Sequence, residues 1–225
     1  FYDSFINKSD FSYDEFLKII RNADKKTKWS TEKKLLFDEL RESINLSNDS
    51  EYYVDFFWNS VVESVDPDLK ANEHLKKLND LKIPWGVVTN GYSFQHTKLK
   101  KSGVGELAPF YMVSGDFGCH KPCEEIYFAA AEKLNLECEN ILFVGDTAET
   151  DIVGAKKAGM KTAWVTMGRQ YPLNEKPDFE IDHIVALALK GTNHDFNLRA
   201  ICKGCHKHKT KSDIKKWRKT AYIQS

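Results

Sequence analysis

The chain has 225 residues, a mass of 25.9 kDa and equal numbers of basic and acidic side chains, 33 of each. Hydrophobic residues make up 41% and charged residues 29%, which is ordinary globular composition. No apolar run approaches the roughly 18 residues that span a bilayer, and no basic-then-apolar leader is present. These features exclude a membrane-embedded protein, and we expect a cytoplasmic one.

The zero net charge hides an uneven distribution. Residues 181–225 hold ten Lys or Arg against three Asp or Glu, and the residues before them hold 23 basic against 30 acidic side chains. A basic module that meets polyanions is one explanation, and a solvated basic tail is the other. Five cysteines, an odd number in a chain with no leader, favour free thiols or metal ligands over disulfides.

Residues 1–68 predict helices only. The segments "SYDEFLKIIRNA", "STEKKLLFDELRESI" and "EYYVDFFWNSVVESV" place apolar residues three and four positions apart, which is helical spacing. Each segment has a candidate N-cap at its start: Ser12, then Ser30 or Thr31, then Ser50. We therefore expect an all-helical first region.

From Pro67 onward, short apolar strands alternate with helices of about ten residues. The strands are "IPWGVVT", "FYMVSG", "NILFVGD" and "KTAWVTMG", and the helices between them include "SFQHTKLKKSG" and "CEEIYFAAAEKLNL". This alternation predicts an α/β fold with a parallel sheet and right-handed crossovers.

Polar side chains stand where these strands end. Thr89 and Asn90 end one strand, Asp146 ends another with Asp151 shortly after it, and Lys121 follows a third. Because ligands of open parallel sheets bind beyond the carboxyl ends of the strands, these residues suit a phosphoryl site with Mg²⁺ on the two carboxylates. Taken singly, each has a plain structural alternative, namely a turn, a surface lysine or a helix cap.

Together they resemble a haloacid dehalogenase-like hydrolase of the phosphatase type with an inserted helical cap. "VVTNG" is similar to the family's second motif, "GCHKP" to its third and "VGDTAETDIVGAKKAG" to its fourth. The resemblance implies a helical cap at 1–68 and a Rossmann-like core at 69–178. It also implies phosphate binding by Thr89, Asn90 and Lys121, a catalytic role for Lys121, Mg²⁺ or another divalent metal on Asp146 and Asp151, and a small phosphorylated metabolite as substrate.

The family's first motif has no counterpart here. It is a strand ending in Asp-x-Asp that supplies the nucleophile and the general acid, and the chain starts at Phe1 already inside the cap region. Asp3 follows no strand and has no Asp two residues on. We expect two sheet strands to lack their shared neighbour and this 225-residue chain to hydrolyse no phosphate monoester.

A different pattern follows residue 178. "PDFEIDHI" and "NLRAIC" predict two short strands, a turn signal at 191–193 separates them, and "CHKHKTKSDIKKW" predicts a helix. Two strands and a helix make a compact ββα unit over 179–225. The strand at 179–181 fits both the end of the first fold and the start of this unit.

This unit resembles an HNH endonuclease, the ββα-metal finger. The resemblance implies that His183 is the general base, that Asp182 and His206 bind a divalent metal, and that Asn197 fixes the loop, with His183, Asn197 and His206 as the catalytic set. Cys202 and Cys205 form half of a possible Zn²⁺ site. Either zinc is not used, which we favour, or two chains pool their pairs.

The helix of this unit carries many cations that suit a phosphate backbone. We predict nucleic-acid contacts by Lys207, Lys209, Lys211, Lys215, Lys216 and Arg218.

Three functions stay open at this point. The first is metal-dependent cleavage of nucleic acid by the C-terminal finger, which we favour. The second is hydrolysis of a phosphorylated metabolite by a form that carries the Asp-x-Asp strand. The third is an inactive remnant whose basic tail only binds nucleic acid.

Overall fold

The computed structural model describes residues 1–6, 10–27, 33–167, 169–184, 189, 198–201 and 203–223. The chain divides into two compact units, one made of 1–83 and 91–108 and the other of 84–90 and 109–225. Compact units and evolutionary domains need not coincide, so the domain boundaries at 68 and 178 stay a prediction.

The first unit is helical in the residues that the structure describes. Its helices are α1 (Tyr2–Phe5), α2 (Tyr13–Lys26), α3 (Lys33–Ser43), α4 (Ser50–Glu63), α5 (Leu69–Asp80), α6 (Phe94–Ser102) and α7 (Val104–Leu107).

Caps and aromatic packing hold this unit together. Ser12 begins α2 with a capping box, in which Ser12 and Glu15 bond each other's backbone N–H groups. The predicted cap Ser50 is wrong, because the Asp49 carboxylate accepts the Tyr52 N–H at 2.8 Å and Ser50 is already helical. The predicted caps at Ser30 and Thr31 lie outside the described residues. The buried core includes Phe16, Phe37, Leu40 and Tyr53.

The second unit contains the strands. They are β1 (Val87–Thr89), β2 (Tyr111–Val113), β3 (Leu142–Gly145), β4 (Lys161–Val165), β5 (Phe179–His183) and β6 (Leu198–Ile201). Its helices are α8 (Ser114–Phe117), α9 (Glu124–Leu134), α10 (Gly154–Lys157) and α11 (Lys203–Ile223), with a 3-10 turn at Cys138–Asn140 and a π-helix at Ala148–Val153.

The strands form two separate sheets. β1 pairs with β2 in parallel, and the second sheet has the order β3-β4-β5-β6. Among the described residues, β1 and β3 each have a strand neighbour on one side only. The same holds for β2 and β6, so a further strand between β1 and β3 stays a prediction.

β5 joins the parallel sheet to the ββα unit. On one side it pairs in parallel with β4, with Trp164 opposite Glu180, and on the other it pairs antiparallel with β6, with Asp182 opposite Arg199. The Thr166 N–H donates to the Ile181 carbonyl at 3.0 Å. Backbone N–H and C=O groups of successive strand residues point to opposite edges. Since those of Ile181 face β4, those of Glu180 and Asp182 face β6. One strand therefore serves both modules.

None of the helices in the described ranges combines the length and apolar character needed to cross a membrane.

Asp178 secures the start of β5. Its Oδ2 accepts the N–H of Thr162 at 2.8 Å and the Thr162 hydroxyl at 3.0 Å, and its Oδ1 lies 3.4 Å from Lys156 Nζ. Partial burial alone raises the pKa of Asp178, but the Thr162 hydrogen bonds and Lys156 together hold the pKa below its ordinary value. The ionised carboxylate therefore stabilises the fold.

We predict that Asp178→Asn removes part of the acid sensitivity of this unit. A depressed folded-state pKa gives stability that is present above the unfolded pKa and lost as pH falls through the folded pKa. Urea unfolding from pH 7 down to pH 3 should show a loss of about 1–3 kcal/mol for the variant at pH 7 and a smaller difference from the wild type at pH 3. Glu132→Gln, at an exposed position of α9, is the control. A loss that is independent of pH would contradict this account.

Candidate functional site

Lys121 is the centre of the first group of candidate residues. The Asn90 side chain clamps its backbone, since Lys121 N–H donates to Asn90 Oδ1 at 2.8 Å and Asn90 Nδ2 donates to the Lys121 carbonyl at 2.9 Å. Lys121 Nζ lies 2.7 Å from Asp151 Oδ1, and both side chains are about nine-tenths buried. The structure thus brings Asn90, Lys121 and Asp151 together.

Asp151 lies in the π-helix that follows β3. Its Oδ2 accepts the backbone N–H groups of Asp146 at 3.1 Å and Thr147 at 3.0 Å. π-helical turns are rare and often stand at functional sites. A Cβ on Gly145 would lie 2.3 Å from the Asp151 side chain, so a residue larger than glycine at position 145 would clash with Asp151. Asp151 lies within this π-helical turn and pairs with Lys121.

Asp146 presents the accessible carboxylate of this group. Its side chain is 55% exposed, and Arg169 Nη2 lies 3.6 Å from its Oδ2. Its backbone carbonyl accepts hydrogen bonds from Trp164 Nε1 at 3.1 Å and from Arg169 at 2.9 Å. Arg169 and Trp164 were missed at the sequence level, because no motif singles them out.

Thr89 ends β1 and lies opposite Val113 in β2. Its hydroxyl is 3.4 Å from the Asn90 carbonyl, which is a poor hydrogen bond.

The Val88 carbonyl of β1 accepts a hydrogen bond from Lys121 Nζ at 2.9 Å. The Val87 N–H donates to the Phe110 carbonyl on the β2 side, so the backbone groups of Val88, the next residue, point to the other edge of β1. Lys121 therefore satisfies a backbone group that a neighbouring strand would otherwise bond.

The second group of candidate residues lies at the end of β5. Asp182 is buried, and its Oδ1 accepts the Thr166 hydroxyl at 3.2 Å. Lys209, from α11, brings its Nζ to 3.1 Å from Asp182 Oδ2 and also pairs with Asp213. The Lys209 and Asp182 side chains are each 9% exposed. This pair fastens the helix of the ββα unit to its first strand.

His183 is buried beside Asp182, with its Nδ1 at 3.9 Å from Asp182 Oδ1. That distance is an electrostatic contact rather than a hydrogen bond. The predicted residues Asn197 and Cys202 and the side chain of His206 lie outside the described residues. The structure accordingly joins Asp182 and His183 on one strand end, and the roles of the other members stay predictions.

The cations of α11 fall into two groups. Lys211, Lys215 and Lys216 are exposed, and the side chains of Lys207 and Arg218 lie outside the described part of the chain. Lys209 does not belong to this surface, because its side chain is buried between two carboxylates. Its assignment to the nucleic-acid interface is therefore corrected.

The cysteines differ from the expectation of free thiols. Cys119 and Cys123 form a disulfide with their Cα atoms 6.2 Å apart. The Cys123 N–H donates to the His120 carbonyl at 2.9 Å, and this turn brings the two residues together. Cys205 is exposed, and its proposed zinc partner Cys202 is not among the described residues. A count of five cysteines could not reveal this local pair.

Two family models match the chain in succession. Residues 6–165 match haloacid dehalogenase-like hydrolase, and residues 169–212 match HNH endonuclease. The first match covers well over half of the chain. The chain belongs to the haloacid dehalogenase-like (HAD) hydrolase family. An HNH domain follows the HAD domain, as the sequence predicted.

Curated relatives match the HAD domain. The chain is 36% identical over 101 residues to 5-amino-6-(5-phospho-D-ribitylamino)uracil phosphatase YigB of Escherichia coli, a match that covers 45% of this chain and 40% of the relative. It is 32% identical over 114 residues to glyceraldehyde 3-phosphate phosphatase of Methanopyrus kandleri, covering 48% and 49%. The chain thus spans about half the length of the curated relatives it matches, or less.

Solved structures agree on the fold. The HAD-hydrolase YfnB of Bacillus subtilis, solved with magnesium, superposes with a TM-score of 0.62 at 22% identity, covering 77% of this chain and 82% of that one. A HAD phosphatase of Thermococcus onnurineus gives a TM-score of 0.53 at 22% identity, with 80% of each chain covered. These likenesses establish the HAD fold.

We predict that Lys209→Met destabilises the second unit by about 3–5 kcal/mol, because it leaves the buried Asp182 carboxylate without its ammonium partner. Lys211→Met, at an exposed position two residues away, should change stability by less than about 0.5 kcal/mol. Urea unfolding followed by circular dichroism measures both. Equal effects of the two substitutions would contradict the buried ion pair.

Proposed function

We propose that the C-terminal HNH domain cleaves nucleic-acid phosphodiesters with the help of a divalent metal. The observation that carries this proposal is the position of Asp182 and His183, side by side at the end of a strand that pairs with β6 and is tied to α11 through Lys209. The match of residues 169–212 to HNH endonuclease supports the same reaction class.

In this proposal His183 acts as the general base. A neutral imidazole accepts a proton from water near pH 7, and the Asp182 carboxylate beside it stabilises the imidazolium that forms. Asn197 fixes the loop between the strands. The nucleophile is the water, so no covalent intermediate with the protein is required.

Asp182 and His206 are the proposed metal ligands. Asp182 is a carboxylate, the ligand type that hard divalent cations prefer, and it lies at the strand end beside His183. Its Oδ1 also accepts the Thr166 hydroxyl, and its Oδ2 pairs with Lys209. When bound, a divalent ion stabilises negative charge on the phosphate. Because the Lys209 ammonium lies 3.1 Å from the same carboxylate, it competes with the ion for that charge.

Nucleic acid would reach this site along the exposed face of α11. Lys211, Lys215 and Lys216 are exposed there and meet phosphate oxygens without reading the bases. Affinity that falls steeply with salt and depends little on sequence is the expected consequence.

Plasmid nicking with Mg²⁺ or Mn²⁺ tests the proposal. His183→Ala should lower the nicking rate by about 10²- to 10⁴-fold, the usual contribution of a general base. His208→Ala is the matched control, since His208 is an exposed histidine of α11 outside the proposed site. Nicking that survives His183→Ala overturns the proposal, and binding of nucleic acid without any cleavage favours a remnant that only binds.

A second candidate function is hydrolysis of a small phosphorylated metabolite by the HAD domain. The Asn90 clamp on Lys121 and the Lys121–Asp151 pair favour it, because they hold an ammonium group where parallel strands end. Lys121 and the Asn90 and Thr89 groups would bind the phosphate, and the exposed Asp146 carboxylate would give a ligand to Mg²⁺. The phosphatase names of the curated relatives support this substrate class.

A generic phosphate ester with Mg²⁺ tests this second function. The 225-residue chain should give no turnover above buffer. A version extended at its N-terminus by a strand ending in Asp-x-Asp should gain turnover that Asp146→Ala abolishes. Turnover by the 225-residue chain that depends on Asp146 would show that the nucleophile lies elsewhere.

A further inference from the structure

Cys119 and Cys123 bracket Lys121 in the sequence "GCHKPC". The disulfide joins them across three intervening residues, with a Cα separation of 6.2 Å that lies within the usual range for such bonds. The loop is closed a second time by the Cys123 N–H bond to the His120 carbonyl. Lys121 therefore stands in the middle of a short covalent ring.

The position of the Lys121 ammonium group depends on the shape of this ring. The side chain is 10% exposed and ends between the Val88 carbonyl and Asp151, and the Asn90 side chain makes two hydrogen bonds to the Lys121 backbone. Two backbone hydrogen bonds to a single side chain open far more easily than a ring with a covalent crosslink. Changing the state of the two sulfurs thus changes how firmly the lysine is held.

The two cysteines are open to solution chemistry. Both are half-buried rather than enclosed, and the flanking residues Pro122 and Glu124 are exposed. Cys138 is half-buried as well, but it has no disulfide partner, and burial is the main cause that raises the pKa of its thiol. The Cys119–Cys123 pair differs from Cys138 because a second cysteine sulfur lies within bonding distance and can displace a soluble thiol from a mixed disulfide.

We propose that Cys119 and Cys123 form a reversible dithiol–disulfide modification site that takes low-molecular-weight disulfides of the glutathione type and sets the rigidity of the Lys121 loop. One cysteine thiolate attacks the soluble disulfide, forming a mixed disulfide and releasing one thiolate. The second cysteine thiolate then attacks the protein sulfur of the mixed disulfide and releases the second thiolate. Two cysteine thiols become one disulfide, one soluble disulfide becomes two thiols, and the two cysteine protons pass to the released thiolates.

The redox state of the two cysteines bears on the proposed phosphate site through the position of the Lys121 ammonium group. If Lys121 binds phosphate, as proposed above, the oxidised form presents the ammonium in a fixed place and the reduced form does not. The pairing of the sulfurs and the stiffening of the loop are measurable without any enzymatic activity.

Mass spectrometry after thiol alkylation tests the pairing in buffers of defined reduced-to-oxidised glutathione ratio. Cys119 and Cys123 should lose their thiols together, in a single two-electron step, while Cys138 stays alkylatable. The Cys138→Ser variant should behave as the wild type, and Cys123→Ser should leave Cys119 as a thiol or a mixed disulfide. Oxidation of Cys119 to a bond with any other cysteine overturns the proposal. Stoichiometric Zn²⁺ binding by the reduced pair with Glu125 that blocks oxidation also overturns it.

Amide hydrogen exchange tests the effect on the loop. Reduction should speed exchange of the Lys121 N–H, which donates to Asn90, by about tenfold or more, with the exchange of α9 amides beyond its first turn unchanged. The Cys119→Ser and Cys123→Ser variants should match the reduced wild type. Equal exchange in both redox states overturns the proposal.

Inorganic phosphate binding, measured in the same samples, separates the redox site from the proposed phosphate role of Lys121. If reduction loosens the loop but neither form binds phosphate, Lys121 has no phosphate role and the redox site stands.

Discussion

The double pairing of β5 is the constraint on which both modules depend. Its backbone bonds β4 on one edge, as the last parallel strand of the HAD sheet, and β6 on the other, as the first strand of the HNH hairpin. A strand that pairs on both edges leaves no free edge at this junction, so the two folds share one hydrogen-bonded ladder. The candidate pair Asp182 and His183 takes its position from this strand.

Both candidate sites are built around a buried ion pair of the same kind. Lys121 with Asp151 serves the HAD domain, and Lys209 with Asp182 serves the HNH domain. In each case an ammonium group from one element neutralises a carboxylate at the end of a strand or just after it. Such pairs contribute little net stability, but removing one partner leaves a costly buried charge. Their main effect is to fix geometry, because each ammonium group holds its carboxylate in one position.

Much of the architecture could be predicted from the sequence, because hydrophobic spacing reports local structure directly. The helices of the first unit, the alternation that follows and the ββα unit were all visible as patterns, and the strand motifs led to Lys121 and Asp151. The side-chain partners were not visible in this way. In the sequence Lys209 resembles the other cations of a basic helix. Its burial against Asp182 depends on the tertiary packing of α11 on β5, which the sequence pattern does not reveal. The Cys119–Cys123 bond likewise depends on a turn that the cysteine count does not encode.

Amide hydrogen exchange across β4, β5 and β6 in rising, sub-denaturing urea tests the shared strand most directly. A continuous ladder predicts that the amides of Trp164, Ile181 and Ile201 converge on the same free energy of opening, since none of these strands can open alone. The opposite outcome would be full opening of β6 and α11 at low urea while β4 and β5 stay protected. That result would mean that the HNH domain is an independent attachment rather than a continuation of the HAD sheet.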